Sequence, residues 1–273
     1  PGRTMKQMIQ SATNLPSIPK VVQELIASFN NQNISSMQIS EILSNDQALT
    51  AKVLRMANSV RYGGHRKVGS VKDAVLVLGL NSLRTLVLAA GFTSNLKAPE
   101  AFDLEAFWLK SFKMANRCKW LAKPLKVDGE IAYTCGLLHA IGEYLIHVVK
   151  PEQAIIIDKR VETGESRSRV EQQLLGFDFC QSGSELADFW HFPKEIVDAI
   201  RDQEQPLRAE PPSRYAACIH LAQYMIDNES KIKQGFFDDF PAKLVHTLQL
   251  QLTEFYSLLE NAPDMDEGIE DFL

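Results

Sequence analysis

Apolar residues recur along this chain at spacings of three and four, the period of a helix that buries one face. Ile39, Ile42 and Leu43 share such a face, and Leu49, Val53, Met56 and Val60 continue it. Leu80, Leu83, Val87 and Ala90 repeat the pattern, as do Leu244, Leu248, Leu252, Phe255 and Leu259 near the end. Start signals agree. Ser70 with Asp73 approximates a capping box, Asp46 is placed to cap the stretch after it, and Pro19, Pro193 and Pro212 suit first helical turns. Ile155, Ile156 and Ile157 are the one run that invites a strand, but Pro151 and polar flanks favour a helix there. No alternating segment bounded by turn residues occurs, so the pattern predicts an all-α protein without a sheet.

Ser94, Asn95, Leu96, Lys97, Ala98 and Pro99 interrupt the helical pattern and divide it into two lobes. The expected organisation is an N-terminal helical lobe over 1–95, a second helical lobe over 96–260, and an acidic tail over 261–273.

Charge sharpens this picture only at the tail. The net charge of −5 comes from 29 bases against 34 acids. Asp264, Asp266, Glu267, Glu270 and Asp271 lie within 261–273 without a base, and removing them leaves 29 acids and 29 bases. A neutral body lacks the footprint of a non-specific polyanion binder, and the tail is expected to be a solvated, frayed terminus. No apolar run approaches the roughly 20 residues that span a bilayer, and the opening residues contain no signal-peptide core. Cys118, Cys135, Cys180 and Cys218 are dispersed without a CxxC pair, as expected of free thiols in a reducing cytoplasm.

A series of short motifs runs in order. Leu15-Pro16-Ser17-Ile18-Pro19 comes first, then Asp46-Gln47-Ala48-Leu49, then Leu54-Arg55-Met56-Ala57-Asn58-Ser59 with Tyr62-Gly63. Ala74 to Leu80, Leu83-Arg84, Phe107-Trp108, Gly136-Leu137-Leu138-His139 and Leu175-Gly176-Phe177-Asp178 follow. Over roughly residues 10–225 this order resembles the HDOD family, the HD-related output domains of bacterial signalling proteins. The resemblance implies an all-α, two-lobed fold whose second lobe is similar to HD-type metallophosphohydrolases. It also implies a ligand set that this chain has mostly lost. Ala140 stands where the carboxylate would follow His139, Lys110 replaces the histidine after Phe107-Trp108, and Phe179 replaces the one after Gly-Phe-Asp. Gln203-Glu204 and Gln223 occupy further positions of that set. One imidazole cannot fix a catalytic ion that needs about four ligands.

The expectation is therefore a protein that is not an enzyme and uses no metal or cofactor. Its function would be a signalling output or scaffold module that binds a partner protein or a small anion. Lys110, His139, Gln203 and Gln223 are the candidates for a vestigial anion site, although for Lys110 the favoured reading is a surface lysine covering apolar area with its stem. Asn58, Ser59 and Tyr62 are candidate contact residues, with an architectural role for them favoured. His139, Glu143 and His147 recur every four residues, yet one helix face cannot close a ligand shell. Residues 36–60 also fit a helix-turn-helix with Lys52, Arg55 and Arg61 near its second helix, which keeps a nucleic-acid regulator as an alternative reading. A residual metal-dependent phosphohydrolase or phosphodiesterase is the other alternative.

Overall fold

The computed structural model describes residues 2–11, 15, 18–29, 34–59, 62 and 67–273, and among them there is no strand. The N-terminal lobe holds α1 (Gly2–Ser11), α2 (Lys20–Ser28), α3 (Ser36–Ser44), α4 (Gln47–Ala57), α5 (Val71–Leu78) and α6 (Leu80–Asn95). The second lobe begins with α7 (Leu104–Leu125), α8 (Gly129–Leu138), α9 (Ile141–Val149), α10 (Pro151–Glu162), α11 (Arg167–Leu175) and α12 (Phe179–Phe189). It continues with α13 (Lys194–Asp202), α14 (Arg214–Asp227), α15 (Glu229–Lys233), α16 (Ala242–Thr247) and α17 (Leu252–Glu260). Residues 96–103 contain no helix and connect α6 to α7. Pro16, Ser17, Val60, Arg61 and Gly63, all named in the sequence reading, lie outside the described residues.

The helices start where short polar side chains can accept the orphan amides of a first turn. Asp46 accepts from Leu49 N, Ser70 from Asp73 N, Asp103 from Ala106 N and Asp128 from Glu130 N and Ile131 N. Ser35 with Gln38, and Asp178 with Gln181, close full capping boxes. Each such cap is worth about 1 kcal/mol. The prolines sit one step earlier than the pattern suggests. Pro19 and Pro193 are cap residues, Pro212 precedes the cap Ser213, and Pro151 is the one that opens a first turn. The isoleucine run at 155–157 is helical, within α10.

Helices α7 and α8 cross so closely that no side chain fits between them at one point. A Cβ added to Gly136 would lie 2.7 Å from Ala115 Cα, backbone against backbone. At the other end of the same motif, a Cβ on Gly142 would collide with the carbonyl of Phe179, so α9 can meet α12 only through glycine. One continuous apolar core runs through both lobes. At their junction Phe92 packs on Trp190 (5.3 Å between ring centroids) and on Phe192 (6.2 Å).

Residues 261–273 are not a frayed terminus. Met265, Ile269 and Phe272 are buried and a short 3-10 turn spans Ile269–Phe272. The charge pattern misleads because the five acids alternate with apolar residues that find a receptor on α7. Among the acids, Asp266 pairs with Arg117 through two bonds of 2.7 and 3.1 Å.

The α7/α8 crossing should be the fold's least tolerant point. Gly136→Ala is expected to cost at least about 1–3 kcal/mol, the usual penalty for overpacking against an unyielding neighbour. Urea unfolding of the purified variant checks this, and a loss below about 0.5 kcal/mol, the scale of a neutral surface change, would contradict it.

Candidate functional site

The crossing places His139 at the C-terminal cap of α8, where its side chain is only 2% exposed. Its Nδ1 meets the Gly136 carbonyl at 2.7 Å, which assigns the proton to Nδ1 and leaves Nε2 as the lone-pair nitrogen. Nε2 has no hydrogen-bond partner among the described residues. Burial, and then the positive charge of Lys110, push the imidazole down to about 3, so it stays neutral. That is the tautomer and charge state a metal-ligating histidine adopts, and its surroundings offer nothing further to a cation. Ala140 is buried, Phe179 is buried, and Lys110 is an exposed lysine whose field reaches the ring. Among the described residues no group of three or more His, Cys, Asp or Glu side chains is placed to hold a metal ion. A divalent cation does not fit this donor set.

Gln203 joins the site. Its Nε2 donates to the His139 carbonyl (2.9 Å) and to the Ile200 carbonyl (2.8 Å), while its own carbonyl meets His220 Nδ1 at 2.8 Å. This polar chain ties α8, α13 and α14 together. Gln223 does not join it, and bonds instead to Asp227 on its own helix (2.9 Å). On α7, Trp108 Nε1 and Ser111 Oγ are buried donors without partners among the described residues. Their positions flank Lys110; in the sequence Trp108 figures only as part of a motif and Ser111 not at all, because neither is charged.

The His139, Glu143, His147 series is split three ways. Glu143 lies 3.4 Å from Arg167 Nε, and His147 Nε2 meets Asp158 at 2.7 Å. Arg167 also bonds Asp158 (2.9 Å) and faces Glu171, whose Oε1 accepts the Phe179 amide at 2.8 Å. Nothing in the sequence pattern announced this network, because its members come from α9, α10 and α11. Burial, and then the charge of Glu143, raise Glu171 to about 8 against the pull of the Phe179 amide. His147 is raised as well, since burial is outweighed by its bonds to Asp158 and to the Glu143 carbonyl.

The contact candidates in the N-terminal lobe divide by role. Asn58 clamps Val68 through both side-chain atoms (2.8 and 2.6 Å), an architectural duty. Ser59 is buried. Tyr62 stacks on Phe272 with centroids 5.9 Å apart. For the helix-turn-helix reading, Lys52 is half-buried and donates to Thr93 on α6 at 2.6 Å, so it is not free to meet a phosphate. All four cysteines are buried free thiols, and burial raises each of them, which suppresses the reactive thiolate. No helix among the described residues is long and apolar enough to cross a membrane.

Comparison with known proteins bears on this geometry. The family model of the HDOD domain matches residues 15–206. A candidate phosphohydrolase from Shewanella amazonensis SB2B has a crystal structure that superposes with a TM-score of 0.80 at 35% identity, covering 97% of this chain and 96% of that one. A candidate signal transduction protein from Marinobacter aquaeolei VT8 superposes with a TM-score of 0.79 at 23% identity, covering 99% of this chain and 64% of that one. An uncharacterized protein of Treponema pallidum is 23% identical over 228 residues, and the match spans 81% of this chain and 44% of that longer relative.

The buried acids and bases set opposite pH arms. His139 sits below its ordinary 6.5, so its contribution is complete above 6.5 and is lost as pH falls toward 3. Glu171 sits above its ordinary 4.5, so its contribution is complete below 4.5 and is lost as pH rises toward 8. Glu171→Gln keeps the acceptor for Phe179 and removes the second arm. The variant should match wild type near pH 4.5 and exceed it by on the order of 1 kcal/mol or more at pH 8. Chemical denaturation across that range is the measurement, and a difference that does not vary with pH would contradict the assignment.

Proposed function

Because the chain belongs to the HDOD family, we propose that it is a non-catalytic signalling module whose former hydrolase site recognises a small anion or supports a protein partner. The observation that carries this reading is His139. Its one free nitrogen is neutral and buried, with Ala140 and Phe179 where further ligands would stand and Lys110 supplying positive charge. A site of that composition repels a cation and attracts an anion. The Marinobacter neighbour, described as a candidate signal transduction protein, supports the signalling part of the reading. The Shewanella neighbour, described as a candidate phosphohydrolase, favours the competing one, metal-dependent hydrolysis.

Lys110, His139 and Gln203 form the core of the proposed site. Gln223, held by Asp227, would join only after turning away from that carboxylate. A lysine meeting phosphate gains a charge-assisted contact of about 1.5–3 kcal/mol, so its loss costs roughly 10- to 150-fold in affinity.

Two measurements test the reading. Metal analysis of the purified protein should find far less than one equivalent of transition metal, with no metal-stimulated hydrolysis of a chromogenic phosphodiester. Ala140→Asp should not create that activity, because it buries an unpaired carboxylate without completing the ligand set. Stoichiometric metal, lost together with activity in His139→Ala, would establish the hydrolase instead. For the anion, calorimetry with nucleotides and cyclic dinucleotides on wild type and Lys110→Ala should show the loss estimated above. Equal binding by both proteins would remove Lys110 from the site.

A further inference from the structure

The segment 262–273 has the features of a bound peptide. It lies beyond the family match, which ends at residue 206, and packs against α7 and α4. Phe272 is fully buried between Tyr62 and Phe112, stacked on the first and edge-on to the second at 5.1 Å. Asn116 Nδ2 donates to the Met265 carbonyl at 3.0 Å, and Arg117 grips Asp266 with both arms of its guanidinium. A bidentate guanidinium–carboxylate pair reads geometry as well as charge. The two elements are also opposite in charge. Helix α7 carries Lys113, Arg117 and Lys123 besides Lys110 near His139 and Lys119 paired with Glu130, against the single acid Glu105, while Asp264, Glu267, Glu270 and Asp271 of the segment are exposed acids.

Side chains of α7 make the attachment. No backbone–backbone hydrogen bond joins residues 263–273 to the rest of the described chain, and the one carbonyl held from outside, that of Met265, accepts from the Asn116 side chain. Nor is the packing closed. A cavity of about 440 Å³ lies between the segment and the helices beneath it, lined by Arg117, Met225, Ile232, Leu259 and Met265 among others. A segment held by a few anchors over incomplete packing opens locally without unfolding the core.

We infer that the Arg117–Phe112–Tyr62 groove is a peptide-binding surface, and that residues 262–273 occupy it as an intramolecular competitor of a partner segment. The partner is an acidic stretch that forms a short 3-10 turn, whose carboxylate meets Arg117 and whose apolar side chains follow three and six positions later, as Ile269 and Phe272 follow Asp266. Recognition of this kind places one aromatic in a pocket beside one charged clamp, the pattern of a binding hot spot. The inference stands whether or not the His139 site binds an anion.

The test uses the full chain. A fluorescein-labelled peptide of residues 262–273 is titrated into wild type, into Asp266→Ala/Phe272→Ala, and into that double variant with Arg117→Ala added. The double variant should bind at least about 10-fold more tightly than wild type, because its own segment competes less, and the added Arg117→Ala should cost about 10-fold or more. Equal affinity for wild type and double variant, or affinity indifferent to Arg117, would overturn the inference. Hydrogen exchange on wild type gives a second readout that needs no variant. Amides of 265–273 should exchange at least about 100-fold faster than those of α7 and α8. Exchange at the same rate, like unfolding of the double variant, would show the segment to be an integral part of the core and would equally overturn it.

Discussion

The backbone contact between Gly136 and Ala115 is the constraint on which the arrangement depends. It lets α8 lie directly on α7, and that proximity brings His139 within reach of the Lys110 charge. Protein interiors are packed at crystal density, so a contact without room for one methyl group fixes both helices to within tenths of an ångström. The second glycine of the motif does the same for α9 and α12, at the Phe179 carbonyl, while the Phe179 amide donates to Glu171. The motif that looks chemical is thus chiefly a packing device. Its histidine holds the tautomer of a metal ligand, while Ala140 and Phe179 offer no donor beside it.

The helical architecture was legible in the sequence because period and caps agree. Asp46, Ser70 and Asp178 mark helix starts through bonds that any helix must find for its first amides, and the 3.6-residue pattern marks the buried faces. At the candidate site the sequence shows residue types alone: Ala140 and Phe179 have no donor atoms in their side chains, whatever their environment. What could not be read was pairing between distant elements. Arg117 with Asp266, separated by 149 positions, and the network of Arg167 with Glu143 and Asp158 depend on which helix faces which. Composition misread the 261–273 segment for the same reason. Five acids suggest a solvated tail unless the receptor for Met265, Ile269 and Phe272 is known.

Two polar systems of different character occupy the second lobe. Around His139 the buried polar groups are neutral, a lone imidazole nitrogen and the Gln203 amide bridging helix ends, and the one charge that reaches them is that of exposed Lys110. Around Arg167 they are ionic and crowded, with three carboxylates sharing one guanidinium and one histidine, and one of the three held largely protonated near neutrality. The first holds too little negative charge for a metal. The second uses its negative charge internally, which leaves none for a cation from solution.

The protonation state of His139 tests the central claim most directly. Nitrogen-15 NMR of the histidine side chains, followed from pH 7.5 down to pH 4 and then with added manganese(II) at neutral pH, reports on Nε2 itself. The account predicts a neutral ring with the proton on Nδ1 across the whole range, and no stoichiometric paramagnetic loss of the His139 signal. A titration near 6.5, or disappearance of the signal at one equivalent of manganese, would show a hydrated or metal-binding site and contradict the account.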